Sequence, residues 1–405
     1  MNQKILLFLL PSLMFFKIDL IGELLLAEIF VFFYFVQFIP RIFNLIQTDL
    51  KIFFRLSLLL LFAQIFSDMY RETPSVDFIR GWSNIIFFMI HTTTLYLLLD
   101  NKKDHFFIFA IGIIVGLILY TFFNPNIYVQ SGNYWKFGYG FAITFFIALM
   151  TIRQSFNNNF FRILIFLFLS ILNFYLGFRS LAGVCLFVCF IMILVRFDFI
   201  LKFIDNKQPT PFKIFSVLIF ILISSYFVNF TYSYLAMNEY LGSDELTRYN
   251  SQMGPLGILI GGRQEILTSI YAILDSPFIG YGSWAVNPFS DNLLSDLLSK
   301  FGYYNTQAYN YFGNRMPTHS HIMGSWVNAG IFGTLIWIWF LYKILQAILL
   351  NSINKSNWSG LFYFICILMI WKIFFSGFNG GARFYDAYYL CLILLMQKKS
   401  TYDAK

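Results

Sequence analysis

The sequence predicts an all-α, polytopic helical membrane protein, and three observations carry that prediction. The chain of 405 residues is 59% hydrophobic and only 12% charged, far more apolar surface than a soluble domain needs. Its apolar runs recur at close to the ~20 residues that cross a bilayer as a helix. Its Lys and Arg residues gather in alternate connections between those runs, as cytoplasmic loops do.

The runs fall at about 4–16, 20–39, 52–67, 82–99, 106–123, 137–152, 161–178, 180–196, 213–230, 320–342, 359–376 and 384–397, which makes about 12 transmembrane helices. The first is short, contains Pro11 and stops at Lys17 and Asp19. No small-residue cleavage site follows, so it reads as an uncleaved span. The even-numbered connections carry Arg41, Lys51 and Arg55, then Lys102 and Lys103, then Arg153 and Arg162. They continue with Arg196, Lys202, Lys207 and Lys213, then Lys343 and Lys355, and the tail adds Lys398, Lys399 and Lys405. The odd connections are poorer in these residues and mix them with acids, as in Asp68, Arg71, Glu72, Asp77 and Arg80. The positive-inside rule puts both termini and the even connections in the cytoplasm, and the segment after the ninth span outside. Three parts follow: residues 1–230, a bundle of about nine spans; residues 231–318, one large external loop between spans 9 and 10; and residues 319–405, a bundle of about three spans.

The same composition excludes other classes. A formal net charge of +8 could suggest a nucleic-acid partner, but the positive charges are spread through short loops and read as topology signals. Cys185, Cys189, Cys366 and Cys391 all sit in apolar runs, with neither a disulfide framework nor a CxxC pair. No repeat period or low-complexity tract is visible.

Polar groups at membrane depth need an account, because such residues are costly and face a bundle interior or water. Glu23 and Glu28 lie in the second run and Lys372 in the eleventh, where a structural ion pair or a functional role would each serve. Arg179 sits at the outer turn between the seventh and eighth runs, and Arg383 at the outer turn between the last two. Arginines from separated parts of the chain thus end at the membrane face that carries the large loop.

That loop has its own signals. Gly261-Gly262-Arg263-Gln264-Glu265 precedes a predicted helix from Glu265 to Asp275, ended by Pro277. A helix N-terminus beside an Arg suits an anion, and Arg grips phosphate oxygens with a fork. Between positions 290 and 300, Leu293, Leu294, Leu297 and Leu298 share one face of an amphipathic helix suited to an interface or to covering a cavity. His319 and His321 would diverge on a helix, which is poor chelating geometry, and no HExxH or carboxylate cluster accompanies them. No metal or cofactor is therefore expected.

His319-Ser320, nine residues, then Gly330-Ile331-Phe332-Gly333 resembles the His-[Asn/Ser/Gln]-x9-Gly-x-x-Gly pattern of the O-antigen ligase and polymerase superfamily. Upstream, Gly262-Arg263 followed by Pro277-Phe278-Ile279-Gly280-Tyr281-Gly282 resembles the Gly-Arg…Pro-x-x-Gly-x-Gly segment of that family, and Phe178-Arg179-Ser180 resembles its Ser-Arg turn with Phe in place of Ser. The motifs come in order and on one membrane face. The resemblance implies a metal-independent glycosyltransferase of the bacterial inner membrane, its active site facing the periplasm. Its donor would be an undecaprenyl-pyrophosphate-linked glycan and its acceptor a glycan or lipid A-core. Membrane lipids, a flippase and a chain-length regulator would be further partners, with no nucleic acid. Cations should stabilise the departing pyrophosphate, a role for Arg263 and Arg179 with Arg248, Arg315 or Arg383. His319, rather than His321, would be the catalytic base, since an imidazole suits proton transfer near neutral pH. Gly330 and Gly333 would let the tenth helix pack closely.

A polymerase of surface-polysaccharide repeat units is the leading reading and the O-antigen ligase the alternative. A protein O-glycosyltransferase stands third, because those that resemble the family carry a longer C-terminal part. A lipid-glycan transporter would suit twelve spans, but the first half has no counterpart of the large loop and no internal repeat is visible. A structural scaffold would leave the convergent arginines and His319 without a role.

Overall fold

The computed structural model describes residues 3–19, 22–100, 102–153, 159–196, 230–240, 242–253, 263, 265–285, 293–300, 316, 318–354 and 358–402, with isolated positions between 215 and 226. Among these residues the chain is helical apart from one short hairpin. Helix α1, Gln3–Ser12, runs through a 3-10 turn, Leu13–Phe15, into strands β1, Lys17–Asp19, and β2, Glu23–Leu25, which pair antiparallel with Ile18 opposite Leu24. Helix α2, Leu26–Gln37, follows directly, and Glu28 Oε2 accepts a hydrogen bond from the Leu25 N–H at its start. The run expected at 20–39 is therefore a hairpin and then a helix, and at Phe38 the chain bends by 83° into α3, Ile39–Gln47. Pro40 in the first turn of α3 accounts for that break: it has no N–H to continue the ladder of α2.

The next helices are α4, Lys51–Tyr70; α5, Ser75–Leu99; α6, Lys103–Phe123; α7, Ile127–Gln130; α8, Gly140–Met150, entered through a π turn at Trp135–Tyr139; α9, Asn159–Tyr175; and α10, Arg179–Arg196. Most of the ninth run lies outside the described residues. Within the large loop, α11, Ser243–Gln252, α12, Glu265–Asp275, and α13, Leu293–Lys300, are helical. The run expected at 320–342 is two helices, α14, His321–Ala329, and α15, Ile331–Asn354, divided at Gly330. The chain closes with α16, Ser359–Phe375, and α17, Gly380–Tyr402.

Among the described residues, α4, α5, α6, α10 and α15 are long and apolar enough to cross a membrane, and the bent pair α2–α3 would make a sixth span. The apolar segments Gln3–Phe15, Trp135–Met150, Asn159–Tyr175 and Ser359–Phe375 are shorter. The chain is a multi-pass helical membrane protein.

Helices α16 and α17 form the centre. Their segments Leu361–Ile367 and Ala387–Ile393 are apolar on every face, the pattern of a helix surrounded by protein, and are buried throughout. Phe109 of α6 stacks on Tyr388 of α17 at 5.0 Å between ring centroids. Gly112 and Gly116 let α6 touch the backbone of α1 at Phe8 and Pro11, where any side chain would collide. Phe88, Trp337 and Phe378 pack as an aromatic cluster joining α5, α15 and the turn before α17, with Trp337 and Phe378 5.0 Å apart. The site lies directly against that cluster.

Candidate functional site

Pro277–Ser283 of the large loop is fastened to the bundle through an unusual density of hydrogen bonds. The Tyr281 and Gly282 N–H groups donate to the carbonyls of Val327 and Asn328 on α14, at 2.7 and 3.1 Å. Buried Asp68 at the end of α4 accepts from the Ser283 N–H at 2.6 Å, from its hydroxyl at 2.8 Å and from the Trp82 indole at 2.7 Å. Arg71 donates to the Gly280 carbonyl and the Ser276 hydroxyl and lies 4.6 Å over the Tyr281 ring. Burial and a hydrogen bond to Asp275 push the Tyr281 phenol well above its ordinary pKa.

The glycines explain how the two sequence motifs come together. Gly280, Gly282 and Gly330 all have positive φ, at 82°, 79° and 67°. A Cβ on Gly280 would stand 2.7 Å from both Gly330 N and Val327 O, and one on Gly330 would overlap the Phe278 carbonyl. The Pro-x-x-Gly-x-Gly segment and the Gly-x-x-Gly segment are thus two halves of one backbone contact. Gly330 meets the 277–280 segment, and Gly333 meets the Ser325 carbonyl of the preceding helix.

Above this contact opens a cavity of about 630 Å³ lined from α4, α5, α14, the Ala285 region and the α16–α17 turn. Arg263 and His319 both line it, although they come from opposite ends of the loop. Ser320 caps α14: its hydroxyl accepts from the Met323 N–H and donates to the Ile373 carbonyl at 2.9 Å. With Ser320 at the cap, His319 lies outside the helix and His321 is its first residue, so the two rings diverge. The His319 ring is 38% exposed, with Nδ1 3.8 Å from Glu265 Oε1 at the start of α12. Nδ1 itself is buried and makes no hydrogen bond. Burial lowers the Arg263 guanidinium pKa from its ordinary value, and Glu265 nearby opposes that shift.

His321 turns inward and is fully buried. Its Nε2 lies 2.9 Å from Asp386 Oδ2 and its Nδ1 2.5 Å from the Ser376 carbonyl, with the ring edge-on to Trp337 at 4.7 Å. The other Asp386 oxygen accepts from Lys372, which lines the cavity. Asp386 is not among the residues expected from the sequence, although an acid at membrane depth inside the last apolar run is the signal that could have found it.

Arg383 and Arg179 are not among the residues that line the cavity. Arg383 is buried in the wall, donating through Nε and Nη2 to both Glu28 oxygens at 2.6 Å, through Nη1 to Asn84 at 2.8 Å and through Nη2 to the Glu23 carbonyl at 2.9 Å. That network accounts for Glu28 as the partner in a buried ion pair. Arg179 begins α10 and lies 5.0 Å over the Tyr232 ring, which packs against Tyr249 and Phe174, away from the cavity lining. Arg248 falls on α11; Arg315, Gly261 and Gly262 lie outside the described residues. Among the described residues no three His, Cys, Asp or Glu side chains come together as a set that could hold a metal ion. The chain matches no protein-family model, and no curated protein matches it.

Proposed function

We propose that this protein polymerises oligosaccharide repeat units carried on undecaprenyl pyrophosphate, at the outer face of a bacterial inner membrane. The observation that carries the reading is the shared cavity: a partly exposed imidazole with an acid behind it and a guanidinium line one opening beside membrane helices. Two carbon–oxygen bonds change in the reaction, and one proton moves. The acceptor hydroxyl attacks the anomeric carbon of the donor sugar while the bond from that carbon to the pyrophosphate oxygen breaks. His319 takes the hydroxyl proton on Nε2. Glu265, 3.8 Å from Nδ1, is the positioning residue that accepts an N–H from the other side of the ring once the pair closes. Arg263 stabilises the charge that builds on the departing pyrophosphate, where a fork of donors in a partly dehydrated site acts most strongly. Arg383 serves as a brace in the wall, since four of its donor contacts already go to protein acceptors. Arg179 belongs to the Tyr232 cluster, outside the catalytic set.

The topology belongs to the same proposal: about twelve crossings, with residues 231–318 on the periplasmic side and both termini in the cytoplasm. Deleting the gene and separating surface glycans on a gel tests the function. Loss of the ladder with one repeat unit still on the core supports a polymerase. Loss of all O-antigen from the core, with long chains left on the lipid carrier, replaces that reading with the ligase. An unchanged glycan profile rejects both.

A further inference from the structure

The charged chain Lys372–Asp386–His321 has no part in the proton transfer just described. Its chemistry is set by hydrogen-bond inventory. Both partners of the His321 ring, a carboxylate and a carbonyl oxygen, can only accept, so the ring that satisfies both carries hydrogen on both nitrogens. Imidazolium, carboxylate and ammonium together leave one surplus positive charge. Among the described residues the neighbouring Arg383–Glu28 pair is itself neutral and does not cancel it. Asp386 and His321 are sealed from solvent, whereas the Lys372 side chain is 16% exposed and lines the cavity. The surplus therefore faces the opening at Lys372. An unbalanced buried charge is expensive, and an anion delivered to it relieves that cost.

We infer that Lys372 is a second anion contact in this cavity, holding one phosphoryl group of a diphosphate whose other phosphoryl group meets Arg263. Asp386 and His321 are its positioning residues: Asp386 fixes the ammonium, and His321 restores the positive charge that Asp386 would otherwise neutralise. The inference rests on the diphosphate reading of the cavity given above. The chemistry it names is a diphosphate, whether esterified to a lipid or free.

Purified full-length protein in lipid nanodiscs, titrated calorimetrically with farnesyl diphosphate, farnesyl monophosphate and inorganic pyrophosphate, tests it. Wild type should bind farnesyl diphosphate more tightly than the monophosphate. Lys372→Met should weaken the diphosphate by roughly 10- to 100-fold, the effect of losing one charge-assisted hydrogen bond, and Lys372→Arg should stay within a few-fold of wild type. Asp386→Asn should weaken diphosphate binding by less than Lys372→Met, because the ammonium that meets the anion remains and only the group that fixes it is lost. If the lysine and aspartate only hold the fold together, both substitutions should weaken diphosphate and monophosphate alike and leave the preference between them unchanged. Should Lys372→Met not fold, the neutral pair Lys372→Met/Asp386→Asn takes its place with the same expected loss. Lys372-dependent binding that favours farnesyl diphosphate assigns the site to a lipid, and equal dependence for inorganic pyrophosphate assigns it to the free anion. Wild-type diphosphate affinity in Lys372→Met, or its replacement, overturns the inference, as does failure of wild type to bind any of the probes. A deletion strain that keeps its surface glycans while Lys372-dependent binding persists would reject the polymerase and leave this site standing.

Discussion

Two side chains bear the chemical proposal, and they should fail in different ways. Arg263→Ala should lower glycan polymerisation by about 10²–10³-fold, the range seen when one donor to a developing negative charge is removed. Arg263→Lys should recover only part, since Lys keeps the charge and loses the fork. A folded, fully active Arg263→Ala protein would remove the guanidinium from the mechanism. His319→Ala should lose about 10²–10⁴-fold in rate, and His319→Asn nearly as much, because Asn keeps a hydrogen-bonding shape but not the basicity. A purified assay with a lipid-diphosphate donor, run across pH, separates base from cation: a base loses activity as pH falls, a cationic clamp as pH rises. Glu265→Gln should lower turnover and alter that pH profile while leaving donor binding in place. His321 is a different case. Sequence spacing distinguishes it from His319 but says nothing of its burial, and its two hydrogen bonds and aromatic contacts make His321→Ala a stability variant. Its loss should appear first as lower protein yield and a lower melting temperature, which a thermal-shift measurement on purified protein would register.

At the level of elements, the glycines that made the motif recognisable hold a backbone joint rather than a helix interface. Gly330 has φ of 67° and would place a Cβ inside the Phe278 carbonyl. Gly330→Ala should therefore strain the α14–α15 break and push the 277–280 segment away, at roughly 1–3 kcal/mol or more. A melting temperature equal to wild type would show that the joint is not under this constraint. Gly132→Ala is the internal control: its φ is also positive, at 97°, but a Cβ there meets nothing within 4 Å, so only the backbone term should be felt. This joint also shows what the sequence could and could not convey. Apolar runs are readable because a helix in a bilayer or a bundle centre is apolar throughout, and most of the expected runs coincide with helices. Breaks within a run are harder to see. Pro40 could have signalled the 83° bend, whereas Gly330 sits among apolar residues and reads as a packing glycine until the partner segment is located. Arg263 and His319 were legible because a motif places them together. Asp68, Arg71 and Asp386 were not, because their importance lies in contacts made far along the chain, such as Asp68 to Ser283 and Asp386 to His321.

For the molecule as a whole, the proposal stands only if the cavity opens on the side where lipid-linked glycan arrives, and the charge distribution gives a direct test. Lys202, Lys207 and Lys213 crowd the connection after α10, and Lys355 lies in the one between α15 and α16, with Lys343 within α15. The connection between α4 and α5 mixes Arg71 and Arg80 with Glu72 and Asp77. Positively charged loops are retained in the cytoplasm, so the first two connections should be inside and the third outside. The structure ties the α4–α5 connection to the large loop: Asp68 and Arg71, at the end of α4, hold the 276–283 segment. These contacts require the α4–α5 turn and the large loop to share a side, which the charge rule reaches independently by counting loops. Cysteine labelling in intact cells at Gly242, in the large loop, and at Asn206, among the lysines after α10, should therefore report opposite sides, with Gly242 accessible from outside. A third probe at Thr73 should label with Gly242. If Gly242 and Asn206 report the same side, the span count is wrong by one, and a cavity facing the cytoplasm could not take a donor delivered at the outer face. If Gly242 is cytoplasmic while Asn206 is external, the count survives but the orientation is reversed, and Arg263 and His319 would have to serve a cytoplasmic substrate instead.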